Sequence, residues 1–210
     1  TGKRCEKSLM QWMTMTNSEI QSVADTTLAK YLKKGNSHKI LSDIMQAENI
    51  KFREISATNH KFVGALTKSN SGQFYIMVNG AIDNVGRKNF TIAHELGHYF
   101  LSHHLTTNAF YCCEDEIVEE DLTANSIEAE ANYFASCFLM PEAKIKSAFL
   151  GMLQNSRRAK IKDCLHVKND CTFSIWCGIR GDLMKRYGVS EAALRYRLKQ
   201  LGVAKFSFTK

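Results

Sequence analysis

Thr91-Ile92-Ala93-His94-Glu95-Leu96-Gly97-His98-Tyr99-Phe100 is the stretch that decides how the rest of this 210-residue chain is read. Two histidines four apart enclose a glutamate in an otherwise uncharged run. On a helix, at about 100° per residue, the two imidazoles stand one turn apart on nearly the same face, so both reach a single ion. Glu95 projects beside them, placed to hold a water on the metal without taking a coordination position. The apolar flanks Ile92, Ala93, Leu96, Tyr99 and Phe100 predict a buried helix, and buried imidazoles need partners. Gly97 costs about 1 kcal/mol relative to alanine inside a helix, which predicts another backbone or a substrate in close approach there.

A catalytic zinc takes three protein ligands and leaves one position for water. The next helical pattern supplies the third. Across residues 127 to 139, Ile127, Ala131, Phe134, Ala135, Phe138 and Leu139 define a buried arc, with Glu128 and Asn132 at its edge and Glu130 outside it. An inward carboxylate beside the small Ala131 and Ala135 reads as a ligand meeting a closely packed neighbouring helix. Asn132, one turn on, is placed to accept the second ring N–H of a ligand histidine and fix its tautomer.

Upstream, the helical period of Ile20, Val23, Ala24, Leu28 and Tyr31 predicts one amphipathic helix behind a cap at Asn17 or Ser18. A shorter helix runs from Ser37 to about Glu48. From Ile50 the pattern changes to β-rich runs, 51–55, 62–66 and 74–78, read as a three-stranded antiparallel sheet. An edge of that sheet offers a place for a peptide to add as a further strand. Asp83-Asn84 caps the helix of the histidines. Residues 105 to 125, with Cys112-Cys113 and six acids, read as a solvated loop. Pro141 opens a packing helix to about Leu153.

The expected fold class is therefore α+β: a small antiparallel sheet packed on a helical zincin core, residues 1–154, with a helical C-terminal extension, residues 155–210. In that extension 175–187 and 190–201 form a helix-turn-helix-like hairpin across Gly188-Val189. Arg195, Arg197 and Lys199 are its candidate DNA contacts. A hairpin that simply closes the catalytic core explains the same pattern. Cys164, His166, Cys171 and Cys177 lack the paired spacing of common structural zinc modules.

Composition bounds the rest. With 44% hydrophobic and 23% charged residues the chain is globular, and its net charge of +7 permits an acidic partner without demanding one. No run of about 18 apolar residues suggests a membrane span. Seven cysteines in no regular framework fit a reducing, cytoplasmic setting better than a disulfide scaffold.

Two blocks together resemble a known family, the ImmA/IrrE-type metallopeptidases of bacteria and their mobile elements. They are Phe90-Thr91-Ile92-Ala93-His94-Glu95-Leu96-Gly97-His98, and Glu128-Ala129-Glu130-Ala131-Asn132-Tyr133-Phe134-Ala135 with Leu139-Met140-Pro141. The resemblance implies His94, His98 and Glu128 as ligands of one zinc ion and Glu95 as general base. It further implies site-directed cleavage of a protein partner, a helix-turn-helix transcriptional repressor encoded nearby, which derepresses phage, mobile-element or stress genes. A tail similar to 187–202 is often seen in the family, whereas 155–180 departs from it. The oxyanion of such a hydrolysis needs an electrophile beyond the metal, and Tyr99, His103, Tyr111 and Tyr133 remain open as candidates. The rival expectation is a zinc-dependent regulator or sensor that binds DNA through the C-terminal hairpin without proteolysis.

Overall fold

The computed structural model describes residues 15–32, 40–57, 62–105, 109–113, 127–155 and 163–207, the side chains of 105 and 109–113 excepted. Thr16 opens α1 (Asn17–Tyr31) with a capping box: its hydroxyl accepts the Glu19 N–H at 3.3 Å, and the Glu19 carboxylate accepts the Thr16 N–H at 2.8 Å. The cap thus falls one residue before the expected pair. α2 (Ile40–Ala47) buries Ile40, Leu41, Ile44 and Met45, the expected stripe.

Four strands follow one another in space as β1 (Lys51–Ile55), β3 (Phe74–Asn79), β2 (Phe62–Lys68) and β4 (Ala109–Cys113). β2 and β3 form the predicted hairpin, turned by Gly72 at φ 85°, a value that glycine adopts without cost. The all-antiparallel expectation is corrected at β1, which pairs with β3 in parallel, Lys51 opposite Tyr75. The reason is positional. The far side of β2 is taken by β4, so β1 joins the sheet beyond β3, and two successive antiparallel relations restore the original direction. β4 is also the correction to the solvated loop: its five residues pair antiparallel with β2, Tyr111 opposite Ala65 and Cys112 opposite Gly64, with an irregularity at Phe62/Gly64. The acidic residues that follow it, 114–121, lie outside the described residues.

Asn84 caps α3 (Val85–Phe100), accepting the Arg87 N–H at 2.9 Å. α3 lies against β2 on one side and α4 (Ile127–Leu139) on the other. Gly97 makes the second contact possible: a Cβ there would stand 3.1 Å from the Cα and carbonyl oxygen of Ala131 and 3.2 Å from the Phe134 ring. Of the two close approaches expected at this glycine, the structure shows a backbone.

After α5 (Glu142–Asn155), residues 165–206 form a parallel two-strand ladder, β5 (Leu165–Val167) with β6 (Ala204–Phe206), around α6 (Asp170–Tyr187) and α7 (Glu191–Gln200). α6 begins five residues earlier than expected because Asn169 and Thr172 build a second capping box. Gly188, at φ 63°, ends it in the left-handed conformation, and Ser190 caps α7. The hairpin turn is pressed onto the start of α3. Asn89 Nδ2 donates to the Gly188 carbonyl at 2.8 Å, and a Cβ on Gly86 would collide with the Val189 carbonyl carbon at 2.2 Å. One apolar cluster runs from Ile20 through Ile76, Leu96 and Phe149 to Leu183, Leu198 and Ala204.

One of the three candidate DNA contacts, Arg197, is corrected in the same region. Arg197 is wholly buried, its guanidinium donating to the Met140 carbonyl (3.1 Å), Gln21 Oε1 (2.9 Å) and Cys137 Sγ (3.2 Å). It ties α1, α4 and α7 together. Arg195 is half-buried, with its guanidinium 4.6 Å from the Phe206 ring centroid; Lys199 alone of the three is exposed. A basic side chain on an amphipathic helix reads the same in sequence whether its face meets solvent or a neighbouring helix.

Candidate metal centre

Helical periodicity alone brings His94 and His98 to one side of α3, and the glycine–alanine contact with α4 brings Glu128 to them. His94 Nε2 lies 3.0 Å from His98 Nε2 and 2.9 Å from Glu128 Oε2, and His98 Nε2 lies 3.3 Å from that same oxygen. Among the described residues these three form the group of metal-ligating side chains close enough to share one ion. Donors about 2.0–2.1 Å from a tetrahedral zinc would be separated by about 3.3 Å, so the triangle needs only a few tenths of an ångström of opening. Two imidazoles and one carboxylate, with a position to spare, are the donor set of a catalytic rather than a structural zinc. Among the described residues, Cys164, His166, Cys171 and Cys177 form no second such group.

Electrostatics follow from burial. His94 and His98 are 1% and 0% exposed, and the Glu128 side chain is 25% exposed, so the site has a closed floor and an open carboxylate edge. Burial pushes His98 down to about 4. Burial also opposes charge on His94, but the Glu128 hydrogen bond and the Glu95 and Glu128 charges outweigh it and raise that imidazole above its usual value. Glu128 is itself opposed by burial, yet the two histidines hold its carboxyl well below the ordinary carboxylate range. Such a group is an ionised ligand at any physiological pH.

Each ring is held from behind. His94 Nδ1 donates to Asn132 Oδ1 at 2.8 Å, the contact expected from the spacing of Glu128 and Asn132, leaving Nε2 for the metal. His98 Nδ1 faces His103 Nδ1 at 3.0 Å, and His103 Nε2 faces Glu130 Oε2 at 3.1 Å. Glu130, which the arc placed outside, is turned inward by this contact. Glu95 is fully buried, and its floor is Gly64 of β2: a Cβ there would lie 2.5 Å from Thr91 Cγ2 and 3.1 Å from Glu95 Oε1. The sequence signal for Gly64 was a glycine inside a strand pattern, which marks a close approach.

The oxyanion candidates separate. Tyr99 points to α2, its hydroxyl donating to Glu48 Oε2 at 3.0 Å, and burial with the Glu48 contact pushes it up to about 12. Tyr133 faces α7, 5.9 Å from the Arg197 guanidinium. His103 stands on the far side of the His98 ring from the converging donors. Tyr111 lies in β4, beside β2.

With this geometry in place, a family comparison is decisive: the family model for the IrrE N-terminal-like domain, Peptidase_M78, matches residues 45–199. The chain belongs to that family. Its members are metallopeptidases, and the matched span contains α3, α4, the sheet and most of the C-terminal hairpin of this IrrE-like domain. No functionally curated protein matches the chain. Among solved structures, a Mycobacterium tuberculosis transcriptional regulator is similar at 16% identity and a TM-score of 0.49, over 87% of this chain and 46% of that one. This chain thus spans about half the length of that regulator. Among the described residues no helix is long and apolar enough to cross a membrane.

Proposed function

We propose that this IrrE-like domain is a zinc endopeptidase that cleaves one specific protein partner, a DNA-binding transcriptional repressor encoded nearby. The observation that carries the reading is the convergence of His94, His98 and Glu128 with a fully buried Glu95 at their side. Zinc, when bound, supplies a Lewis acid that lowers the pKa of water to about 7 and polarises the scissile carbonyl. The residues of the chain do the rest. Glu95 accepts the proton of the attacking water and returns it to the departing amine. Its burial against Gly64 keeps bulk water off the carboxylate and fixes its direction. Asn132 keeps the His94 nitrogen that faces the metal free of its proton. The sheet next to α3 ends in β4, and a peptide adding along that edge would extend the sheet whose strand β2 lies against Glu95.

The test is co-expression of the wild type, and separately of Glu95→Gln, with the neighbouring DNA-binding protein. A shortened partner with the wild type alone supports the reading, and an intact partner with both, when the wild type is zinc-loaded, rejects that substrate. Glu95→Gln should retain zinc and lose at least about 10³-fold in rate.

A further inference from the structure

The nitrogen of His98 turned away from Glu128 is Nδ1, the position through which a metal-bound imidazole is usually anchored. It meets a second histidine. From His98 Nδ1 the line of polar atoms runs to His103 Nδ1 at 3.0 Å, from His103 Nε2 to Glu130 Oε2 at 3.1 Å, and from Glu130 Oε1 to the Met15 N–H at 2.9 Å. Proton bookkeeping admits one assignment. If His98 Nε2 faces the metal, its Nδ1 carries the hydrogen and donates; His103 Nδ1 must then accept, which puts the His103 hydrogen on Nε2, where Glu130 receives it. The carboxylate keeps its other oxygen for the backbone of Met15, the residue before the α1 cap.

The arrangement is not incidental. His103 is 6% exposed and Glu130 13% exposed by side chain, so both polar groups have left water to make these contacts. The chain reaches His103 through Ser102, a non-glycine residue at φ 62°. That left-handed conformation costs about 1 kcal/mol for an L-residue and persists where the surroundings hold it in place. Here it ends the helix and folds the next residue back beneath its last ligand.

We infer that His103 and Glu130 are positioning residues for the metal: a relay from α4 and the start of α1 that locks the His98 tautomer and aims its Nε2 at the ion. The inference rests on the metal reading above and assigns no contact with substrate to either residue. It differs from an oxyanion role in what it moves, since the relay acts on metal affinity before any substrate is present.

The test is zinc affinity measured by chelator competition on the full chain, without substrate, beside the thermal midpoint of each metal-free variant. His103→Phe keeps a ring and removes both nitrogens. His103→Asn keeps an acceptor near the position of Nδ1. Glu130→Gln keeps the volume and removes one of the two acceptors. The expected result is a loss of about 10–100-fold in zinc affinity for His103→Phe, a smaller loss for Glu130→Gln, and recovery to within about threefold of wild type for His103→Asn. Should His103→Phe fail to fold, Glu130→Gln with nitrogen-detected tautomer assignment of zinc-loaded wild type decides: hydrogen on His98 Nδ1 and His103 Nε2 supports the relay, and any other pair overturns it. Wild-type affinity in a folded His103→Phe overturns the relay alone. A wild type that binds no zinc brings down the metal reading and the relay with it.

Discussion

His94 and His98 sit one turn apart on the same helix, yet their environments drive them in opposite directions. Burial takes His98 down to about 4, whereas the neighbouring carboxylates hold His94 above its ordinary value. A ligand imidazole must give up its proton to the metal, so affinity rises with pH only through the range in which a ligand is still protonated. Between about pH 5 and 6, His98 is already neutral and His94 is not. Zinc uptake there should release about one proton, and affinity should climb about tenfold per pH unit rather than a hundredfold. Calorimetry in buffers of different ionisation enthalpy counts the protons, and a count of two would contradict the split. Gly64 is a further point at which one atom matters. Gly64→Ala places a methyl against Thr91 and Glu95, and turnover should fall at least about tenfold while zinc stays bound, because it is the base and not a ligand that is displaced.

The pairing of α3 with α4 joins His94 and His98 on one helix to Glu128 on the other. α3 was evident from its cap and apolar flanks and α4 from its periodicity, and the small residues Gly97, Ala131 and Ala135 foretold their close approach. In an exposed helix, Gly→Ala stabilises by about 1 kcal/mol. At Gly97 the sign should reverse. The new methyl meets the Ala131 backbone at 3.1 Å, and backbone cannot swing aside as a side chain can, so the helices must part by a few tenths of an ångström. Gly97→Ala should lower stability by about 1–2 kcal/mol and weaken zinc binding with it, read by thermal melts with and without metal. A more stable variant with unchanged affinity would show that the contact has slack. The sheet was harder to foresee. Its runs were placed within a residue or two, but β4 was hidden in a stretch whose acids pointed to water, and the parallel pairing of β1 follows only from where β4 docks.

The described residues of the IrrE-like domain share one core, and the C-terminal hairpin is part of it. Arg197 shows why. Its guanidinium is satisfied by a backbone carbonyl of the α4–α5 junction, an amide of α1 and a thiol of α4. Arg197→Met fills most of the volume but strands those acceptors, and should destabilise the fold by about 2–4 kcal/mol in denaturant unfolding. A surface arginine offered to DNA would cost within about 0.5 kcal/mol on the same replacement, so the melt discriminates the two roles.

The positions of His94, Glu95, His98 and Glu128 were determined by the chain itself. Two imidazoles four residues apart, a carboxylate one turn from an asparagine, and small residues between them are local patterns, and helical geometry turns local spacing into position without reference to anything distant. Which strands pair, which histidine lies behind which, and whether an arginine faces water or three helices were decided by the tertiary structure. Those outcomes depend on contacts between segments up to 176 residues apart, and one pattern of polar and apolar residues is compatible with several such contacts until the core closes and leaves a single way to satisfy every buried polar group.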